Sequence, residues 1–259
     1  MAETPVSGFE VKAEAAPTPP TPKLTRFRAV VQSKSGFTTE SLRRLVECGT
    51  ALNDELTFKI TGNGVSMKVL DKARIALMEV ELPAAVFVSF DADGEGYVTV
   101  DSKSLLAVVR RAKGKDIQLT FEDGQLVVTI GGIRSFRIRT LETSAEEAPQ
   151  PKVNHTAFAV IDAELFREAL IDAKVVKADA VRLMALNGAL TFKAVNETKE
   201  AEVKLGPAEG SASSTYMLDY LVKAAKAFGD GTIEVRFGSN APLELANSYA
   251  KIFIAPRIE

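Results

Sequence analysis

The sequence predicts an α+β fold of two similar domains, each made of two strand–helix–three-strand units. Three observations carry that prediction. Apolar periodicity alternates between two and about 3.6 residues in the same order four times along the chain. A polar, proline-bearing stretch without periodicity, residues 143–155, separates the second unit from the third. The 259 residues, 46% of them apolar, suffice for two cores of ordinary size.

Residues 1–25 are rich in Ala, Glu, Pro and Thr. They offer little apolar surface to offset the entropy of ordering, so they are expected to form a disordered extension. The first domain is expected over 26–142. It opens with a strand at Arg26–Gln32, then a helix capped by Thr38 or Thr39 and running to Leu52 with Leu42, Leu45, Val46 and Gly49 inward. Strands at Glu55–Thr61, Val65–Leu70 and Ile75–Leu82 are separated by turn signals at 62–64 and at Asp71-Lys72. The second unit starts with a short strand at Gly96–Val100 and a helix capped by Asp101 or Ser102 that reaches Ala112, its stripe Leu105, Val108, Val109 and Ala112. Strands at Asp116–Phe121, Gln125–Ile130 and Ser135–Leu141 complete it, with a hairpin turn at Glu122-Asp-Gly124.

The linker is expected over 143–155 and the second domain over 156–259. Its first unit is strand Thr156–Ile161, a helix from Ala163 to Val176 with Phe166, Leu170 and Ala173 inward, and strands Ala180–Leu186, Ala189–Val195 and Glu200–Leu205. Its second is strand Ser213–Met217, a helix from Asp219 to Phe228 with Leu221, Ala224, Ala225 and Phe228 inward, and strands Thr232–Phe237 and Leu243–Leu245. The last strand is written in Tyr249, Lys251, Phe253 and Ala255 alternating with Ala250, Ile252, Ile254 and Pro256. Pro256 donates no backbone hydrogen bond, which places it at a strand end or on an edge.

Composition and motifs exclude most chemistry. One cysteine, Cys48, rules out an intrachain disulfide framework and fits a reducing intracellular compartment. No apolar run approaches the roughly 20 residues that span a bilayer. Asp91-Ala-Asp93-Gly-Glu95-Gly96 begins like a calcium loop, but its twelfth position is Ser102 rather than Glu. Gly62-Asn-Gly64 begins a dinucleotide fingerprint whose third glycine position is Met67. His155 is the only histidine, so histidine metal sites and Ser or Cys triads lack partners, and it reads as a solvated hinge residue. No enzyme, metal or cofactor is expected.

Net charge is −2, from 32 basic and 34 acidic side chains, so the placement of charge matters more than its sum. Opposite the apolar stripes lie Arg43 and Arg44 on the first helix and Lys103, Arg110 and Arg111 on the second. Arg167 and Lys174 lie on the third and Lys223 and Lys226 on the fourth. Four such helices on one side of a sheet make a basic surface that meets phosphates through weak, sequence-independent contacts. Two expected edge strands differ in sign: 135–141 carries Arg137 and Arg139, whereas 199–205 carries Glu200 and Glu202. Such edges permit head-to-tail pairing between copies.

The chain resembles the sliding clamps of archaeal and eukaryotic replication, the proliferating-cell-nuclear-antigen (PCNA) type, over Arg26 to Glu259. The resemblance rests on Gly64-Val-Ser-Met-Lys-Val-Leu-Asp71 with Ile75-Ala-Leu77, on Tyr216-Met-Leu-Asp-Tyr-Leu221, and on Ile254-Ala-Pro-Arg-Ile-Glu259, in the family's order and spacing. It implies a trimeric ring, homo- or heterotrimeric, with outer sheets and inner helices around double-stranded DNA, and an ATP-driven clamp loader. The nine basic residues above would face the DNA, and Phe136, Arg137, Arg139, Glu200 and Glu202 would meet at the subunit interface. Leu70, Ala148, Pro242, Phe253, Ala255 and Pro256 would form a pocket for short apolar motifs of DNA polymerase, flap endonuclease and DNA ligase. Its site of action would be the cytoplasm or nucleoid of an archaeon, or a nucleus. The chain departs from the family at Thr50, often basic there, and at Glu146, Glu147 and Ala148, where bulky aliphatic residues are common. The alternatives are a subunit of a heterotrimeric or checkpoint-type clamp, a peptide-binding adaptor that does not touch DNA, and an enzyme that uses paired carboxylates.

Overall fold

In this computed structural model, residues 23–34, 36–143, 151 and 153–257 are described. The first unit opens with β1 (Phe27–Val31), which buries Phe27, Ala29 and Val31 on one face. The Thr38 side chain then accepts from Ser41 N at 3.1 Å and caps α1 (Thr39–Leu52). Gly49 sits in the buried stripe of α1, where a Cβ would meet Leu56 Cδ2 at 2.8 Å, so a larger residue would require the Leu56 side chain to shift. Next come β2 (Glu55–Thr61), β3 (Gly64–Leu70) and β4 (Ala76–Pro83).

A 3-10 turn at Ala84–Val86 and a strand that periodicity did not announce, β5 (Ser89–Ala92), precede the second unit. Four residues are too few to display a period, and β5 owes its place to pairing with β1. The second unit is β6 (Gly96–Asp101), α2 (Ser102–Val109), β7 (Ile117–Glu122), β8 (Gln125–Ile130) and β9 (Arg134–Arg139). Asp101 caps α2 by accepting from Ser104 N at 2.8 Å. The helix ends at Val109, short of the expected Ala112, because the chain tightens there: Ala112 N donates to Val109 O at 3.0 Å, and Lys113 and Gly114 both take positive φ.

The third unit is β10 (Ala157–Asp162), α3 (Ala163–Val175), β11 (Ala180–Leu186), β12 (Ala189–Val195) and β13 (Glu200–Gly210). Asp162 caps α3, accepting from Glu164 N and Leu165 N, both at 2.9 Å. β13 runs past the expected Leu205. Beyond a register shift at Leu190/Thr191 of its partner β12, it changes sides and pairs Ala208–Gly210 with β10. Gly210 closes this crossing with φ 75°, where a Cβ would lie 2.0 Å from Thr156 O. The fourth unit is β14 (Ala212–Met217), α4 (Leu218–Ala225), β15 (Thr232–Phe237), β16 (Leu243–Ala246) and β17 (Ala250–Ile254).

The strands form two antiparallel sheets. One has five strands in the order β5-β1-β7-β8-β9. The other has twelve, β14-β11-β12-β13-β10-β15-β16-β17-β4-β3-β2-β6, and passes from the C-terminal half into the N-terminal half where β17 pairs with β4. The helices pack in the order α2, α1, α4, α3 as one layer. Ile252 and Ile254 of β17 are buried beneath it, and an apolar cavity of about 40 Å³ lies among Phe27, Leu42, Phe58 and Val98 in the N-terminal half.

Two further expectations are corrected. Residues 23–25, assigned to a disordered extension, are tied down: Leu24 is buried, its N donates to Glu95 O at 2.9 Å, and Asp93 accepts from Thr25 N at 2.9 Å. Those hydrogen bonds, the Thr25 hydroxyl first, bring the Asp93 carboxyl down to about 2, so the acidic turn at 91–96 anchors the chain's entry. His155 is no solvated hinge: it packs against Glu244, with Nδ1 3.8 Å from Oε2 and Nε2 buried without a hydrogen-bond partner. Burial lowers its pKa against the pull of the Glu244 carboxylate, and the Arg236 guanidinium lowers it further. The expected exposure failed because the chain before His155 runs close against Gly238, where a Cβ would lie 2.4 Å from Asn154 O.

Candidate functional site

The helix layer carries the nine basic residues, and the structure divides them. Arg43 pairs with Glu40 and Glu47, Arg44 with Glu40 at 3.1 Å, and Arg110 with Glu47 at 2.8 Å. Arg44 and Arg167 also converge on the end of α4: Nη1 of each donates to Phe228 O, at 3.2 and 3.3 Å, and Arg167 reaches Gly229 O at 2.8 Å. These two arginines therefore satisfy carbonyls at a helix C-terminus while presenting charge beside them. Lys103 pairs with Asp54 at 2.9 Å, and Lys72 holds the same carboxylate, which the two lysines bring to about 2. Lys223 lies 4.5 Å from the centre of the Tyr220 ring. Among the described residues, Arg111, Lys174 and Lys226 form no ion pair and remain available to an external anion. Thr50 takes another role: its hydroxyl lies 2.7 Å from Val46 O and 3.3 Å from Ser102 O, joining α1 to the start of α2.

The opposite face of the twelve-stranded sheet holds an apolar patch built by strand register. Leu70, Leu77, Phe253 and Glu244 stand directly opposite one another across β3, β4, β17 and β16. The pairing continues one residue further, where Ala255 N donates to Ile75 O at 2.8 Å, bringing Ile75, Ala255 and Pro242 into a parallel row. Leu70, Ile75, Pro242, Phe253, Ala255 and Pro256 are all half-buried. Leu77 is only 5% exposed and stands outside the core beneath the helices. Ile75 and Leu77 are thus members of the patch that sequence reading missed, although their alternation with buried Ala76 and Met78 marked them. Ala148, like Glu146 and Glu147, lies outside the described residues. Beyond Pro256, Arg257 N donates to Thr215 O at 2.7 Å and borders an open groove of about 880 Å³ with Met184, Lys193 and Val195.

The two charged strands differ as edges. β9 ends the five-stranded sheet, with Arg137 and Arg139 exposed and Phe136 half-buried. β13 is interior to its sheet, yet only Ala208–Gly210 pair with β10, so among the described residues 200–205 have a strand partner on one side alone. Glu200 and Glu202 are exposed there, and Lys193 of β12 reaches both, at 2.7 and 3.7 Å.

Comparisons with known proteins bear on this geometry. The family model of the proliferating cell nuclear antigen N-terminal domain matches residues 36–131. The DNA polymerase sliding clamp of Thermococcus sibiricus is 33% identical over 234 residues, 83% of this chain and 94% of that one. The crystal structure of PCNA from Thermococcus kodakaraensis superposes with a TM-score of 0.81 at 25% identity, over 89% of this chain and 100% of the other. PCNA of A. fulgidus, solved with the C-terminal region of FEN-1 bound, matches in fold with a TM-score of 0.81 at 22% identity, over 90% and 99% of the two chains. With two sheets backing one layer of four helices, and a relative this similar over nearly its whole length, the chain belongs to the PCNA-type family of DNA polymerase sliding clamps.

Proposed function

We propose that three copies of this chain close head to tail into a ring around duplex DNA, with the layer α2–α1–α4–α3 lining the hole and the twelve-stranded sheet facing outward. Each copy divides into domains at 26–142 and 156–259, joined by 143–155. The observation that carries the reading is the single helix layer, which presents Arg111, Lys174 and Lys226 without ion pairs among the described residues. Twelve such helices offer many weak phosphate contacts and no fixed base contact, the condition under which a ring stays on DNA yet slides.

Sliding clamps are non-catalytic processivity factors, and the chain acts by topology. A closed ring cannot leave a duplex sideways, so affinity for any one site stays low. A polymerase held by the ring is returned to the primer end at high effective concentration after each dissociation. Opening the ring falls to a separate, ATP-driven loader. The charges favour self-association: one chain carries both the arginine edge β9 and the glutamate segment of β13. This work takes place inside the cell, at the chromosome.

The outer apolar patch is the proposed docking site for polymerases, flap endonuclease and ligase, as A. fulgidus PCNA binds the C-terminal region of FEN-1. Phe253 is its centre, flanked by Leu77 on one side and reached by Ala255 and Pro242 from the next row. Phe253→Ala is expected to weaken binding of an A. fulgidus FEN-1 C-terminal peptide by about tenfold or more in calorimetric titration, as removal of a central aromatic anchor does. Ring assembly should be unchanged, because Phe253 points away from both edges. Unaltered affinity would contradict the docking assignment.

A further inference from the structure

Behind the docking patch lies a buried carboxylate with more donors than its own loop supplies. Asp71 is 6% exposed and sits where β3 turns toward β4. Its Oδ1 accepts from Ile75 N at 2.6 Å and Ala76 N at 2.7 Å, and its Oδ2 from Ala73 N at 3.0 Å. These three bonds shape the turn that delivers Ile75 to the patch. The fourth comes from elsewhere: the Tyr220 hydroxyl, in the first turn of α4, donates to Oδ2 at 2.8 Å. Tyr220 is itself 8% exposed, and Lys223 covers its ring. A second tie from the helix side is Asn53 at the end of α1, whose Nδ2 donates to Leu70 O at 3.0 Å.

We infer that Tyr220 is a positioning residue for partner docking: through Asp71 it fixes the 71–76 turn from the helix layer and so presents Leu70 and Ile75 to an apolar peptide. The inference rests on the docking role of the Phe253 patch. An ionised carboxylate with four donors is a rigid node, since each bond removed leaves charge less well solvated in a buried site. The chemistry of the pair agrees. Burial works to raise the Asp71 pKa, yet the bonds from Ala76, Tyr220, Ala73 and Ile75 outweigh it and hold the carboxyl below its usual range. Burial, the Asp71 bond and its charge push the Tyr220 phenol up to about 12, so the hydroxyl remains a donor at neutral pH. Neither group touches the outer face, so they act on a ligand only through the turn. Because Tyr220 belongs to α4, the helix that carries Lys223 and Lys226, the patch on one side of the sheet is referenced to the helix layer on the other.

Tyr220→Phe removes the hydroxyl and keeps the ring. The expected result is about tenfold weaker binding of the A. fulgidus FEN-1 C-terminal peptide in titration calorimetry, the scale of one bond to a charged acceptor. Hydrogen exchange at the Ile75 and Ala76 amides should accelerate, while amides of β8 and β12 keep their protection. Asp71→Asn, which preserves shape but loses charge, should do the same and serves if Tyr220→Phe does not fold. Wild-type affinity and exchange in either folded variant, with Phe253→Ala still weakened, overturns the positioning role and leaves the docking patch standing. If Phe253→Ala binds normally, or the unaltered protein fails to bind the peptide, the docking reading falls and the role of Tyr220 with it.

Discussion

Changing Arg137 and Arg139 together to Glu is expected to turn a ring of three chains into single chains. β9 is the free end of the five-stranded sheet, so its outer backbone groups have no strand partner among the described residues. Residues 200–205 of β13 have the same deficiency on one side. Pairing these two segments between neighbouring copies satisfies both, and the exposed side chains decide whether the pairing is favourable. In the proposed ring Arg137 and Arg139 of one copy meet Glu200 and Glu202 of the next. After reversal four carboxylates face one another at each of three junctions, and like-charge juxtaposition costs on the order of several kcal/mol. Since about 1.4 kcal/mol is a factor of ten, the ring should dissociate at micromolar concentration. Adding Glu200→Arg and Glu202→Arg to the same chain should restore part of the assembly. Restoration will be incomplete, because Lys193 now pairs with both glutamates and would repel their replacements. Native mass spectrometry reads both outcomes. A three-chain ion that survives the first reversal would contradict this interface.

Reversing Arg111, Lys174 and Lys226 to Glu is expected to leave the ring intact and remove stimulation of polymerase on primed circular DNA, by at least about tenfold. These three are chosen because among the described residues they make no ion pair, so reversal costs the fold little. Arg44 and Arg167 are unsuitable for the same test: both donate to Phe228 O, and losing them frees carbonyls at the end of α4. In a ring the change places nine acidic groups where nine cations stood, so phosphate is repelled from the hole. The salt dependence of DNA association should flatten as well, since fewer counterions are released on binding. Stimulation equal to that of the unaltered ring would remove the helix layer from the DNA-facing surface.

Most of this architecture was legible in the sequence where a local signal coincided with the final structure. The Thr38 and Asp101 caps, the stripe Leu42-Leu45-Val46-Gly49, and the strands 55–61, 125–130, 180–186, 189–195 and 232–237 are found as read. What was not legible is what long-range pairing creates. β5 is held by β1 rather than by its own pattern, and the second half of β13 extends because it meets β10. The outer apolar patch was only partly visible: Leu70, Pro242, Phe253, Ala255 and Pro256 were named from the family resemblance, whereas Ile75 and Leu77, although part of a family motif, joined the patch only through strand register. Asp71 looked like a turn residue, and nothing in the sequence places Tyr220, 149 positions away, on its carboxylate. The basic residues of the helices were legible in the sequence but their charge balance was not, because the compensation by Glu40, Glu47 and Asp54 depends on rotamers and on the packing of α1 against α2.

The central claim is that the chain holds DNA by encircling it, and one measurement addresses that directly. The unaltered protein, loaded by its clamp loader onto a closed circular duplex, is isolated with the DNA by gel filtration, and the circle is then cut once. The protein should travel with the closed circle through moderate salt and leave within minutes of the cut, because nothing but topology retains it. Protein that stays with the linear DNA, or that is stripped equally from circle and linear DNA by salt, would contradict encirclement.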